Sequence, residues 1–103
     1  MTKKITLVCN QGLSTSMVVK KMQESANNKG IEAHIEAVPE SSLKKSSKDT
    51  HVILLGPQIS YKLKSFKDEY QPQGIKVEVI NGADYGMLNG EKILQDALSL
   101  MEG

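Results

Sequence analysis

Cys9-Asn10-Gln11-Gly12-Leu13-Ser14-Thr15-Ser16 comes after the apolar run Ile5 to Val8 and precedes Met17-Val18-Val19-Lys20-Lys21-Met22. The run before it reads as a buried strand, Lys4 to Cys9. The residues after it read as a helix from Ser14 to about Asn28, because Val18, Met22 and Ala26 recur at i, i+4 and i+8. A strand that feeds a helix through a short loop opens a β-α-β unit, so this stretch decides for an α/β fold. It also suggests a chemistry. A helix start leaves N–H groups without intrahelical partners, and they carry a partial positive charge. Gly12 lets the backbone turn tightly beside a ligand, and Ser14, Thr15 and Ser16 add hydroxyl donors and candidate helix caps. The result is an anion cradle with a sulfur nucleophile at its base. The expectation is a phosphoryl group carried on Cys9 and held by Asn10, Gln11, Gly12, Leu13, Ser14, Thr15 and Ser16. A cysteine ending a strand is often only packing, and one N-cap would account for one hydroxyl residue, but neither accounts for a glycine and three consecutive hydroxyl residues.

Working outward, Asn27-Asn28-Lys29-Gly30 ends the first helix, with Gly30 as a left-handed cap. Ile31 to Val38 is a second strand whose apolar Ile31, Ala33, Ile35 and Ala37 alternate with Glu32, His34 and Glu36, the pattern of a sheet edge. Pro39 to Thr50 is a polar connector with a short helix expected near residues 41–45. Lys44, Lys45 and Lys48 read as its solvated face. His51 to Leu55 is apolar almost throughout, as a central parallel strand covered on both sides should be. Gly56-Pro57-Gln58 breaks it, and Ile59, Leu63, Phe66 and Tyr70 then form a helical stripe ended by Gln71-Pro72-Gln73-Gly74. Lys76 to Ile80 is a fourth strand, residues 81–86 a turn-rich loop, and Asn89-Gly90 opens a last helix with Ile93, Leu94, Ala97, Leu98 and Met101 on its apolar face. Strands alternating with helices give a parallel sheet with right-handed crossovers. For four strands the expected order is 2-1-3-4, flanked by helices on both faces. The loops after the first and third strands then open on one crevice.

The 103 residues suit one domain. Thirteen basic and twelve acidic residues leave a formal charge of +1, so no strong basic field marks a nucleic-acid binder. A single cysteine forms no intrachain disulfide, and no secretory signal pattern is present, which fits a reducing cytoplasm with Cys9 available as thiolate. No run approaches the ~18 apolar residues of a membrane span, so no direct insertion is expected. No second histidine or cysteine stands at metal-ligand spacing from His34, and no metal or cofactor is expected.

A cysteine-based phosphate loop of this layout is found in low-molecular-weight tyrosine phosphatases, as Cys-x5-Arg-Ser after a first strand. Here Thr15 stands at the arginine position while Ser16 matches, and all thirteen basic residues are lysine. The two-pronged clamp that speeds phosphoryl transfer to water is missing. The only acid offered as a leaving-group donor is Asp84, a weak candidate. On this reading phosphocysteine loses its phosphate slowly to water, and Thr15→Arg would speed that loss. A flavodoxin-like module binding a flavin phosphate at residues 14–16 is a further alternative, with Tyr85 the one aromatic placed to flank a ring.

Leu7-Val8-Cys9 running into Gly12-Leu13-Ser14-Thr15-Ser16-Met17, then Leu54-Leu55-Gly56-Pro57-Gln58-Ile59-Ser60-Tyr61, then Val77-Glu78-Val79-Ile80 with Tyr85-Gly86 after it, run in one order over nearly the whole chain. In these motifs the chain resembles the IIB component of the bacterial phosphoenolpyruvate-dependent sugar phosphotransferase system, lactose/cellobiose type. The resemblance implies one such domain over residues 1–103, working as a monomer in the cytoplasm. It implies that Cys9 takes phosphate from a phosphohistidine on a IIA protein. It implies that Cys9 passes the phosphate to a β-glucoside or disaccharide bound by the membrane-embedded IIC protein, which would hold the chain at the inner membrane face. Leu13 and Met17, at the loop rim, are candidates for a partner surface.

Overall fold

The computed structural model describes residues 2–8 and 12–102, and of residues 12–14, 46 and 47 the backbone. Four strands, β1 (Lys3–Val8), β2 (Ala33–Val38), β3 (Val52–Leu55) and β4 (Lys76–Val79), form one parallel sheet in the order β2-β1-β3-β4. Ile5 lies opposite Ile35 on one side and Val52 on the other, and Leu7 opposite Ala37 and Leu54. All four residues of β3 are buried, as its unbroken apolar run requires of a strand covered on both faces. β2 and β4 are the edges.

Among the described residues five α-helices flank the sheet: α1 (Gly12–Asn28), α2 (Leu43–Ser46), α3 (Leu63–Tyr70), α4 (Gly82–Gly86) and α5 (Gly90–Glu102). Alternation along the strands divides the core in two. On one face Ile5, Leu7, Val52 and Leu54 pack against Val18, Met22 and Ala26 of α1 and Ile93, Leu94 and Ala97 of α5. On the other, Val8, Ile53, Leu55 and Val77 pack against Leu43, Ile59, Phe66 and Tyr70. The one polar residue facing inward from β1, Thr6, is satisfied there. Its hydroxyl donates to Thr50 Oγ1 at 2.9 Å, and Thr50 bonds in turn to the carbonyls of Lys4 and Val52.

Several boundaries differ from the sequence expectation, each for a local reason. α1 begins at Gly12, two residues early, so Ser14, Thr15 and Ser16 stand inside the helix rather than capping it. β2 begins at Ala33 because Ile31 is used elsewhere. Gly30 takes φ +69°, its N–H bonds Asn27 O at 3.2 Å, and Ile31 N–H reaches back to Ala26 O at 2.9 Å. That is a Schellman cap, and it consumes the residue that alternation assigned to the strand. The connector 39–50 holds α2 between two 3-10 turns, with Leu43 buried in the second core layer. The Ile59 stripe is a 3-10 segment over residues 57–62 before α3 proper. Ile59 leaves helical geometry at φ −117°, ψ 25°, and its side chain still reaches the core at 1% exposure. Residues 81–86 are not all loop. Asn81 accepts hydrogen bonds from the amides of Ala83 and Asp84, and this cap nucleates α4.

Gly90 opens α5 against the middle of α1. A Cβ built on it would fall well inside van der Waals contact of the Lys21 carbonyl carbon and the Met22 nitrogen, which are backbone atoms that cannot swing aside. Gly90→Ala is therefore expected to cost about 1–3 kcal/mol, as overpacking usually does. The measurement is the urea midpoint at unchanged slope, and a wild-type midpoint would mean that α1 and α5 separate without cost.

Candidate functional site

The carboxyl ends of three strands stand side by side. Gly56 N–H bonds the Val8 carbonyl at 2.9 Å, and Ile80 N–H bonds the Leu55 carbonyl at 2.9 Å, so the chain leaves β1, β3 and β4 along one edge. In such a sheet ligands bind at this edge where the strand order reverses, here between β1 and β3. α1 starts at the same edge, four residues after β1 ends. Its first-turn amides have no earlier turn to bond and present a partial positive charge.

The expected site residues fall into three groups. Cys9, Asn10 and Gln11 lie outside the described residues. Gly12, Leu13 and Ser14 form the first turn of α1, described by its backbone. Ser16 and Met17 are exposed, Met17 at 46%, so Met17 is rim and not core. Thr15 points the other way. It is 1% exposed, and its Oγ1 lies 3.0 Å from the hydroxyl oxygen of Tyr85, which is itself 7% exposed on α4. The periodicity of α1 gives no sign of this contact, since its partner is seventy residues away. The available signal is the one tyrosine in the loop after the fourth strand. Asp84, the weak acid candidate, has its amide on the Asn81 cap at the start of α4.

Two alternatives weaken on this geometry. An arginine at position 15 could not be housed without displacing Tyr85. Thr15→Arg would accordingly disturb the buried contact between α1 and α4. Tyr85 is equally unsuited to stack on a flavin, being buried with its hydroxyl on Thr15.

Other groups at this edge are committed or exposed. Lys62, after β3, donates to Glu40 Oε1, after β2, at 2.5 Å, and that hydrogen bond raises the lysine above its usual range. The ammonium also lies 5.9 Å from the Tyr61 ring centroid. Tyr61 and Met87, at 75% and 76% exposure, stand on the segments after β3 and β4. Among the described residues no cluster of histidine, cysteine or carboxylate could hold a metal, and no helix is long and apolar enough to cross a membrane. A surface pocket of about 560 Å³ lies between α2 and α3, with Leu43, Phe66 and Tyr70 in its walls, apart from the α1 start.

Comparison with known proteins assigns this architecture. Residues 4–96 match the family described as PTS system, Lactose/Cellobiose specific IIB subunit. The chain is 42% identical over 99 residues to the oligo-beta-mannoside-specific EIIB component of the phosphotransferase system (PTS) of Bacillus subtilis (strain 168), covering 96% of each. It is 35% identical over 104 residues to the cellobiose-specific EIIB component of Lactococcus lactis subsp. lactis (strain IL1403), again covering 96% of each. The solution structure of the cellobiose-specific phosphotransferase IIB component from Borrelia burgdorferi superposes with a TM-score of 0.82 at 40% identity, covering 99% of this chain and 94% of that one. The chain belongs to the lactose/cellobiose-specific IIB family of the phosphotransferase system.

Proposed function

We propose that the protein is a phosphoryl carrier in sugar uptake, with Cys9 as the residue that holds the phosphate. The Cys9 thiolate attacks the phosphorus of a phosphohistidine on a IIA protein, forming an S–P bond as the N–P bond breaks and the imidazole keeps the electron pair. A hydroxyl of a sugar bound by a membrane IIC protein then attacks the same phosphorus and gives its proton up to solvent, an O–P bond forms as the S–P bond breaks, and the sulfur leaves with the electron pair as thiolate. The observation that carries this reading is the junction itself. α1 starts four residues after β1 ends, at the sheet's carboxyl edge, with the sole cysteine between them. The amides that follow Cys9 and those of the first turn of α1 would receive the phosphate oxygens, and the helix start favours both the thiolate and the phosphorylated form. The whole of residues 1–103 would act as one IIB domain, a cytoplasmic monomer drawn to the membrane by IIC. The sugar would be a β-linked glucoside or disaccharide. The relatives' names differ in the sugar, as they should if selectivity resides in IIC.

Incubation with phosphoenolpyruvate and the upstream phosphotransfer proteins is expected to place one acid-stable, iodine-labile phosphate on the chain, and Cys9→Ser to abolish it. Label retained in that variant would refute Cys9 as the carrier. The exposed Met17 lies on the docking rim in this reading. Met17→Asp is expected to slow phosphate uptake from IIA roughly tenfold, as a charge placed in an apolar contact does. Its melting temperature should stay near wild type because the side chain is not core. Unchanged uptake would remove Met17 from the docking surface.

A further inference from the structure

The segment from Asn81 to Gly90 grips α1 at two heights. At the first turn, Tyr85 OH meets Thr15 Oγ1 at 3.0 Å in a buried pair. Two turns further on, Gly90 lies directly against the backbone of Lys21 and Met22. The segment is stiff between these points. Asn81 caps α4 through two amides, Asn89 N–H bonds Asp84 O at 2.9 Å, and Leu88 is held at φ +54°. Two fixed points on one helix determine both its axial position and its rotation. The start of α1 therefore cannot slide or turn without breaking the Thr15–Tyr85 contact or driving Gly90 into α1.

We propose that Tyr85 is a positioning residue for phosphoryl transfer: its hydroxyl, through Thr15, holds the first-turn amides of α1 at the place where the phosphate on Cys9 is received. The inference rests on Cys9 as the carrier. Tyr85 does not touch the phosphate in this account. It acts through the helix, and its loss lets the amides drift. Preset donors are worth far more to a transferring group than donors that must reorganise.

The test compares Tyr85→Phe, Thr15→Val and Thr15→Ser with Thr50→Val. The last removes the other buried hydroxyl pair, with Thr6, and serves as a purely structural control. For each, the measurements are the rate of phosphate uptake against IIA concentration, the pH profile of Cys9 alkylation by iodoacetamide, and the melting temperature. Tyr85→Phe and Thr15→Val are each expected to lower the maximal uptake rate about tenfold, with KM for IIA within twofold. Both should shift the alkylation midpoint to higher pH. The double variant should be no worse than either single one, because one contact is shared, and Thr15→Ser should restore the rate. Thr50→Val should lower the melting temperature while leaving rate and alkylation profile at wild type.

Wild-type rates and alkylation profiles in Tyr85→Phe and Thr15→Val would overturn the proposal. Equal losses in Thr50→Val would also overturn it, since general destabilisation would then suffice. If the wild-type chain takes no phosphate on Cys9, the carrier reading fails. The transfer role of Tyr85 then falls with it, whereas normal phosphate uptake by the wild-type chain with unchanged rate and alkylation midpoint in Tyr85→Phe refutes the positioning role alone.

Discussion

The structure depends on where α1 is held. A helix start can serve as an anion site only if its amides stand at the sheet edge where the strands end, and nothing within α1 determines that. Its apolar stripe of Val18, Met22 and Ala26 fits the Ile5, Leu7, Val52 and Leu54 surface, but an apolar stripe on an apolar surface is non-directional and tolerates sliding. Direction comes from contacts that are intolerant of displacement. One is steric, Gly90 against the Lys21–Met22 backbone, and one is polar, the Thr15–Tyr85 pair. Both come from the connection between β4 and α5. The carboxyl-terminal third of the chain thus sets where α1 begins.

This dependence also explains the distribution of buried polar groups. Thr6, Thr15 and Thr50 are the buried polar residues of the described core. Thr6 and Thr50 tie β1 to the entry of β3, and Thr15 ties α1 to α4. Each pair joins elements distant in sequence, at a place where apolar packing alone would leave the register loose. A buried hydroxyl without a partner costs a large part of its desolvation, so each pair penalises misplacement much more than it rewards correct placement.

The architecture is readable from the sequence because its signals are local and repeated. The unbroken apolar β3, the alternation in β2 and the stripes of α1 and α5 each declare their element. Right-handed crossovers then leave few strand orders, and 2-1-3-4 is the simplest of them. Boundaries are less readable, because a residue such as Ile31 satisfies alternation while its amide is taken by the helix cap before it. The same holds for Ile59, which keeps helical spacing with non-helical backbone. The partner of Thr15 is hidden for a different reason. A hydroxyl beside a cysteine reads as a ligand for whatever the cysteine binds, and only the fold brings Tyr85 to it across seventy residues. Met17 is legible as a surface residue, since i, i+4 spacing places Val18 and not Met17 on the core face. Its exposure comes from that choice of face.

The charge inventory around the edge bears on why such a loop should hold a phosphate without spending it on water. There is no arginine in the chain, position 15 faces Tyr85, and Lys62 is bound to Glu40. A phosphate held by Cys9 would accordingly meet backbone dipoles and hydroxyls, with none of these groups arranged as a bidentate cation. Dipoles of this kind stabilise the dianion at rest as well as in transit, whereas catalysis requires stronger binding of the transition state than of the ground state. A guanidinium clamp built into the carrier would favour transfer to any acceptor within reach, water included. On the carrier reading proposed above, leaving that clamp out would make transfer wait for a partner that supplies the acceptor and the remaining transition-state contacts. Met17 on α1, Tyr61 after β3 and Met87 after β4 are exposed apolar groups, each on a segment that follows the carboxyl end of a strand.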